Sequence, residues 1–430
     1  MRALGFVGIL GLGAVLSSAC GGRGEPTAVI PQNAGDPAGG VPRATRSSGS
    51  FALLYSFGGN RGESPEDLTV ANPRSTPFLY GITFNGGTSD DGTIFSLKTD
   101  GSERVLYDFS GGQNGAGPSG ALTHMNGTFY GVTAYTEVTE GQAGGGTVFA
   151  FNRPDQVHAL YVFQGSPDGS LPIAKLAALN DILYGTTEEG GTSPCSGLGG
   201  DGCGTVFSTT TGGQETVLHS FAGYPNDGAI PEAPLLVHNG KLYGTTGWGG
   251  SGGCYGSRAL GCGTVFTITT SGEEHVLHSF TGGSDGAYAY SGLTNVNGTF
   301  YGTTYEGGSS SCYGSGCGAV FSITPSGTEK VVYGFKGGND GAYPDAGLTL
   351  LNGTLYGTTI EGGGTGCQGA GCGTIFAVTT GGKEHIVHRF NGTEDGKFPD
   401  SDLTALNGSL YGTSPNGGSR HHGTAFALTP

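Results

Sequence analysis

Glu189, Glu306 and Glu361 each follow a Tyr-Gly-Thr-Thr run at the same distance, and Asn85, Trp248 and Asn416 hold the matching positions in sister segments. Arranged around one opening with Tyr305 alongside, such side chains form a partly acidic, partly aromatic ring that suits a sugar or a cation. Two carboxylates held about 5–10 Å apart could also serve as acid and base in glycoside hydrolysis. The competing reading is local: each glutamate caps its turn by accepting from the amides of the following Gly-Gly.

Other residues are read the same way. Asp168, Asp227, Asp285, Asp340 and Asp395 each precede a glycine. A calcium loop needs several closely spaced acidic oxygens, and these loops carry one or two acids, so a turn role is expected. Trp248, Tyr255, Tyr288, Tyr290, Tyr305, Tyr313 and Tyr343 fall in loop segments, where they could stack on sugar rings or simply pack. His219, His278 and His388 share one position with Tyr55, Tyr107, Tyr161 and Tyr333. That exchange speaks for packing over catalysis. His421-His422 is an isolated pair. No Gly-x-Ser-x-Gly elbow, phosphate loop or dinucleotide fingerprint is present, and no catalytic residue, metal or cofactor is expected.

Eight of the nine cysteines fall as Cys195/Cys203, Cys254/Cys262, Cys312/Cys317 and Cys367/Cys372. Each pair is local, within one B–C loop, and no histidine stands beside it to complete a zinc set. Four short-range disulfides are the simplest connectivity, and an exported protein permits them.

The elements that must position these residues recur. Tyr-Gly pairs begin at Tyr80, Tyr130, Tyr184, Tyr243, Tyr301, Tyr356 and Tyr411. A Gly-Thr-Val-Phe-like run ends at Phe95, Phe149, Phe207, Phe266, Phe321, Phe376 and Phe426, and a Leu-His-Ser-Phe-like run at Phe57, Phe109, Phe163, Phe221, Phe280, Phe335 and Phe390. A short Leu-containing run precedes each Tyr-Gly. Four strand-like motifs, each occurring seven times, predict an all-β, seven-bladed β-propeller with four antiparallel strands per blade. From the axis outward the strands are A (Leu run), B (Tyr-Gly), C (Gly-Thr-Val-Phe) and D (Leu-His-Ser-Phe). The chain opens with a lone D motif and stops after a C motif, so the N-terminal strand completes the last blade and removes two open edges. A parallel β-helix, with shorter coils and a need for caps, fits less well. Asn126-Gly127, Asn239-Gly240, Asn297-Gly298, Asn352-Gly353 and Asn407-Gly408 mark tight A–B hairpins. The long B–C and D–A connections then share the opposite face.

The motif Leu-Tyr-Gly-Thr-Thr-x-x-Gly-Gly, then Gly-Thr-Val-Phe, then Phe-x-Gly-Gly-x-Asp-Gly-x-x-Pro, clearest over Tyr301 to Pro344, resembles the GloVer tandem repeat. Members of that family are described as choice-of-anchor proteins. The resemblance implies a surface-exposed propeller and brings no catalytic residue.

Residues 1–19 read as a lipoprotein-type signal peptide, with Arg2 before an apolar run too short to span a bilayer. Cys20 is the expected lipidation site, although Ser17 stands where the motif prefers an aliphatic residue. Residues 20–49 form a Gly/Pro/Ser-rich tether reaching about 30 Å, and 50–430 the propeller. The protein is therefore expected outside the cytoplasm, lipid-anchored to a bacterial membrane, with the outer membrane or cell surface favoured. Acidic residues outnumber Lys and Arg, 34 to 18, and the basic residues are scattered, so nucleic acid is not an expected partner. Equivalent residues repeated around a ring favour a monomeric binding or scaffolding protein for carbohydrate or another surface protein. An exported carbohydrate-active enzyme and a purely structural envelope protein are the alternatives.

Overall fold

In a computed structural model of the chain, residues 50–71, 78–139, 142–152, 156–195, 201–254, 260–309 and 312–430 are described. The signal, Cys20 and tether expectations lie outside them.

The strands follow the motifs. In blade four, A is Leu236–His238, B Lys241–Thr246, C Thr264–Thr269 and D Glu274–Ser279, hydrogen-bonded in that order. Blades one to six repeat this arrangement. Blade seven takes its D strand from Ser50–Ser56, which pairs antiparallel with Thr424–Thr429 from Ser50↔Thr429 to Ser56↔Thr424. The N-terminal strand thus closes the ring. The seam is also bonded at its centre: Thr404 Oγ1 donates to Leu68 O at 2.5 Å and Thr413 Oγ1 to Glu66 O at 2.9 Å.

Packing explains the Tyr-Gly pair. A Cβ built on Gly244 would lie 2.5 Å from Cζ of Phe266 on strand C and 2.9 Å from Leu235 Cδ2. The fully buried Phe ring rests directly on the glycine of strand B, and the same contact recurs from Gly81–Phe95 to Gly412–Phe426. Consecutive blades then meet through aromatic edges: Phe221 lies 5.2 Å from Phe266, and Phe280 5.2 Å from Phe321. The threonines act as a lock. Thr246 Oγ1 bonds Thr264 Oγ1 at 2.9 Å and donates to Trp248 O at 2.7 Å, so a buried hydroxyl is satisfied inside the sheet.

The A–B turns have the expected geometry. Asn239 and Gly240 have φ of 50° and 75°, the left-handed pair a type I′ turn requires. Beyond the motifs, four short 3₁₀ turns appear among the described residues, at Gly59–Arg61, Gly112–Asn114, Cys312–Gly314 and Cys367–Gly369.

All four disulfides form as the spacing suggested: Cys195–Cys203, Cys254–Cys262, Cys312–Cys317 and Cys367–Cys372, with Cα separations of 4.8 to 5.2 Å. The bridges are set deep in the blades. Cys203, Cys262, Cys317 and Cys372, the second member of each pair, are all buried, and Cys262 and Cys372 are 0% and 1% exposed. The reason is position: each stands two residues before the buried residue that opens strand C (Thr205, Thr264, Ala319 or Thr374), so the strand carries it into the blade. These cysteines therefore brace the loops from below and present nothing to a ligand. Each sulfur pair packs on a glycine of the D–A loop: a Cβ on Gly282 would clash with Cys254 Sγ, and one on Gly392 would lie 2.8 Å from Cys367 Sγ and 2.9 Å from Cys372 Sγ. The glycine of the Phe-x-Gly run is therefore the seat of the bridge. Such bonds suit an oxidising, extracytoplasmic setting. Among the described residues no helix is long and apolar enough to cross a membrane.

Candidate functional site

After Thr246 strand B continues as a short ribbon against the D–A loop, where Trp248 pairs with Ala229. The same pairing joins Glu189 to Ser170, Glu361 to Ala342, Glu306 to Ala287, Asn416 to Lys397 and Asn85 to Glu63. These six sequence-selected residues thus share one backbone position. Blade two supplies Tyr135, opposite Ala116, as a seventh.

Strand alternation sends neighbouring side chains in opposite directions. Glu189 feels the charge of Asp201 in its own B–C loop, and Glu306 bonds Ser315 of its own loop. Trp248 is buried, 6% exposed, with its ring 4.7 Å from Tyr288. These residues brace the loops, and the indole face is not offered to a ligand. One position earlier, Glu188 and Tyr305 face the axis, where they interact with Glu232 and Asp345.

Glu232 and Asp345 belong to a set the sequence reading did not select. In each D–A loop the chain turns toward the axis at a left-handed residue, such as Ile230 (φ 56°), Tyr343 (φ 57°) or Phe398 (φ 57°). This costly conformation is held by backbone hydrogen bonds to the preceding loop, for example from Ile230 N–H to Cys203 O at 2.9 Å. Proline follows, then an acid: Pro65-Glu66, Pro231-Glu232, Pro344-Asp345 and Pro399-Asp400. The recurring Pro-acid pair was the signal available in the sequence. The acid enters just before strand A, so it stands at the loop-face end of the central channel.

The acids act on one another across that channel. Asp67 Oδ1 accepts from Asp402 N at 2.6 Å, and Asp402 Oδ1 from Gly347 N at 2.6 Å, linking blades one, seven and six. Asp400 is exposed on the channel wall, where the surrounding protein and then the charge of Asp345 raise its carboxyl. Burial lifts Asp345 to about 6, and its Oδ1 is buried without a hydrogen-bond partner. Glu188 is raised to about 7 by burial and then Glu189, and Glu232 is raised by burial, then Glu188 and Asp345. Lys175 offsets part of this, lowering Asp67 and Asp402.

An aromatic arc borders the acids on the side of blades four to six. Tyr288 and Tyr290 have centroids 6.1 Å apart, Tyr290 and Tyr305 5.8 Å, and Tyr305 and Tyr343 5.0 Å with planes 26° apart. Burial and then the charges of Glu232 and Asp345 raise the Tyr290 hydroxyl.

The Asp-Gly aspartates take the expected turn role and more. Asp227 Oδ2 accepts from Ala222 N at 2.8 Å and lies 3.0 Å from His219 Nε2. Asp168 and Asp340 accept from Tyr161 and Tyr333 in the same way. The D-strand His/Tyr position therefore holds down the D–A loop.

The Gloeobacter/Verrucomicrobia repeat model matches residues 22–257, 194–370 and 252–430. The chain belongs to this repeat family. Among curated proteins none matches the chain by sequence. Solved structures similar to this repeat protein include a gluconolactonase from Xanthomonas campestris (11% identity, 88% of this chain and 89% of that one, TM-score 0.41). A putative gluconolactonase gives 11% identity, 88% and 91% coverage and TM-score 0.43. A putative oxidoreductase (glucose dehydrogenase) from Thermus thermophilus gives 14%, 88%, 99% and 0.41. No activity is carried over from them to the repeat protein.

Proposed function

We propose that this chain is an extracytoplasmic binding propeller, held at a bacterial membrane through Cys20, whose loop face takes a carbohydrate at the mouth of the central channel. The observation that carries this reading is the arc of Tyr290, Tyr305 and Tyr343 beside the acids Glu232 and Asp345. Aromatic faces stack on the apolar face of a sugar ring, and carboxylates accept from its hydroxyls. Tyr305 belongs to both groups, because its ring stacks on Tyr343 while Asp345 lies near its hydroxyl. A glycan array probed with the full chain tests the reading: binding that Tyr305→Ala removes supports it, and an array without any binder overturns it.

A second reading is an exported carbohydrate-active hydrolase or lyase. Asp400 and Asp345 act on the same space and both carboxyls are raised, the kind of environment an acid–base pair uses. Release of reducing ends from a polysaccharide panel, lost in Asp400→Asn, would favour catalysis over binding alone.

A further inference from the structure

We infer that the outer seam between blades three and four is a site for a divalent first-row transition ion, with Zn²⁺ the best match, held by His219, Asp227 and Glu274. One ligand atom from each residue lies within 4.8 Å of the other two, the one such His/Cys/Asp/Glu group among the described residues. His219 Nε2 and Asp227 Oδ2 stand 3.0 Å apart, the spacing of neighbouring ligands in a zinc sphere of about 2 Å radius. Glu274 Oε1 is buried and has no hydrogen-bond partner. The side chains of His219 and Asp227 are 21% and 13% exposed, so an ion has a route in.

The repeat shows why this seam differs. At each comparable seam the C–D turn of one blade rests on the D strand of the preceding blade, as Gly272 does on Leu218 O. That contact sets a glutamate beside the preceding blade's aromatic residue and Asp. Between blades two and three the trio is Tyr161, Asp168 and Glu215; between five and six it is Tyr333, Asp340 and Glu384. A phenol supplies its proton to the carboxylates and offers no nitrogen lone pair. Histidine offers one, and an imidazole with two carboxylates is a donor set for zinc-like ions. Between blades four and five, His278 Nε2 and Asp285 Oδ2 are 3.4 Å apart and the trio with Glu329 does not close to the same radius. In the metal-free state a proton lies between His219 and Asp227. The ion takes the Nε2 lone pair with the ring's proton carried on Nδ1, and protons compete with the ion for the three ligand atoms, so uptake weakens as pH falls. Bound there, the ion ties strand D of blade three, the following D–A loop and strand D of blade four.

The test uses the full chain, stripped with chelator and titrated with ZnCl₂ by calorimetry, with metal counted after dialysis. The expected result is one equivalent of Zn²⁺ and a Tm that rises with it. His219→Tyr installs the residue that blades two and five already use, so it should fold while weakening Zn²⁺ binding roughly 100-fold or more. Should that variant misfold, Glu274→Gln, of the same shape, carries the same expectation. His422→Gln, at the exposed histidine pair, should bind as the parent does. Absence of Zn²⁺ binding in the parent, parent-like affinity in both seam variants, or loss confined to His422→Gln would each overturn the assignment.

Discussion

The ring of Phe51 lies flat against that of His388, with centroids 3.7 Å apart and planes 3° from parallel. Phe51 holds the place that Glu215, Glu274, Glu329 and Glu384 hold at other seams, one position into the ladder from strand C. Where the chain closes on itself, stacking replaces the carboxylate. Phe51 also meets Phe426 at 5.3 Å and Phe390 at 5.9 Å. Phe51→Ala should therefore cost about 1–3 kcal/mol, read from denaturant unfolding. A loss no greater than that of an exposed surface alanine would contradict a closing role for this contact.

Gly302 tests the packing rule of the blades. A Cβ there would meet Phe321 Cζ at 2.7 Å and Leu293 Cδ2 at 3.1 Å. Gly302→Ala is expected to destabilise by about 1–3 kcal/mol through overpacking. Gly298→Ala, in the adjoining turn with open space around it but φ of 86°, would lose stability by backbone strain instead. A second change, Phe321→Leu, should recover part of the Gly302→Ala loss and none of the Gly298→Ala loss.

The seam between blades two and three makes stability depend on pH. Glu215 is raised to about 7 by burial and then by the charge of Asp168, with a hydrogen bond from Tyr161 pulling the other way. Glu215 Oε1 is buried without a hydrogen-bond partner, which favours the neutral carboxyl. A carboxyl whose folded pKa lies above its unfolded value of about 4.3 contributes stability at low pH and loses it as pH rises through the folded value. The Tm should thus fall between pH 5 and pH 8, scanned with every other condition fixed, and Glu215→Gln should fall less. A steeper decline in the variant would count against Glu215 as the titrating group.

The bridge between Cys312 and Cys317 closes a short loop, at a sequence separation of 5. Removing it by paired serine substitution should cost about 2 kcal/mol in the chain-entropy model. Its seat on Gly337 makes the loss local. Hydrogen exchange should rise in the B–C and D–A loops of blade five, with little change in blade one.

Much of this architecture is legible in the sequence because the repeat writes each packing contact seven times. Tyr-Gly needs Phe, Thr-Thr needs Thr, and in blades three to six the Phe-x-Gly run seats a disulfide, so the motifs correspond to contacts. The channel acids were harder to read. Glu66, Glu232, Asp345 and Asp400 alternate with Tyr290, Ser119 and Ile173 at that part of the repeat, and a position that varies between blades carries little periodic signal. Direction was hidden too. Glu188 and Glu189 are adjacent, yet only strand alternation decides which faces the channel. Burial of Trp248 depends on Tyr288, which lies 40 residues on, across a loop of irregular length.

The pairing of Ser50 with Thr429 joins the earliest and latest parts of the propeller in one sheet. The first strand to leave the ribosome has no partner until the final one emerges, so its ladder is the longest-range contact in the molecule and the slowest to form. A chain stalled before blade seven would display two sticky edges, at Ser50–Ser56 and at blade six, and so invite a neighbour's strand.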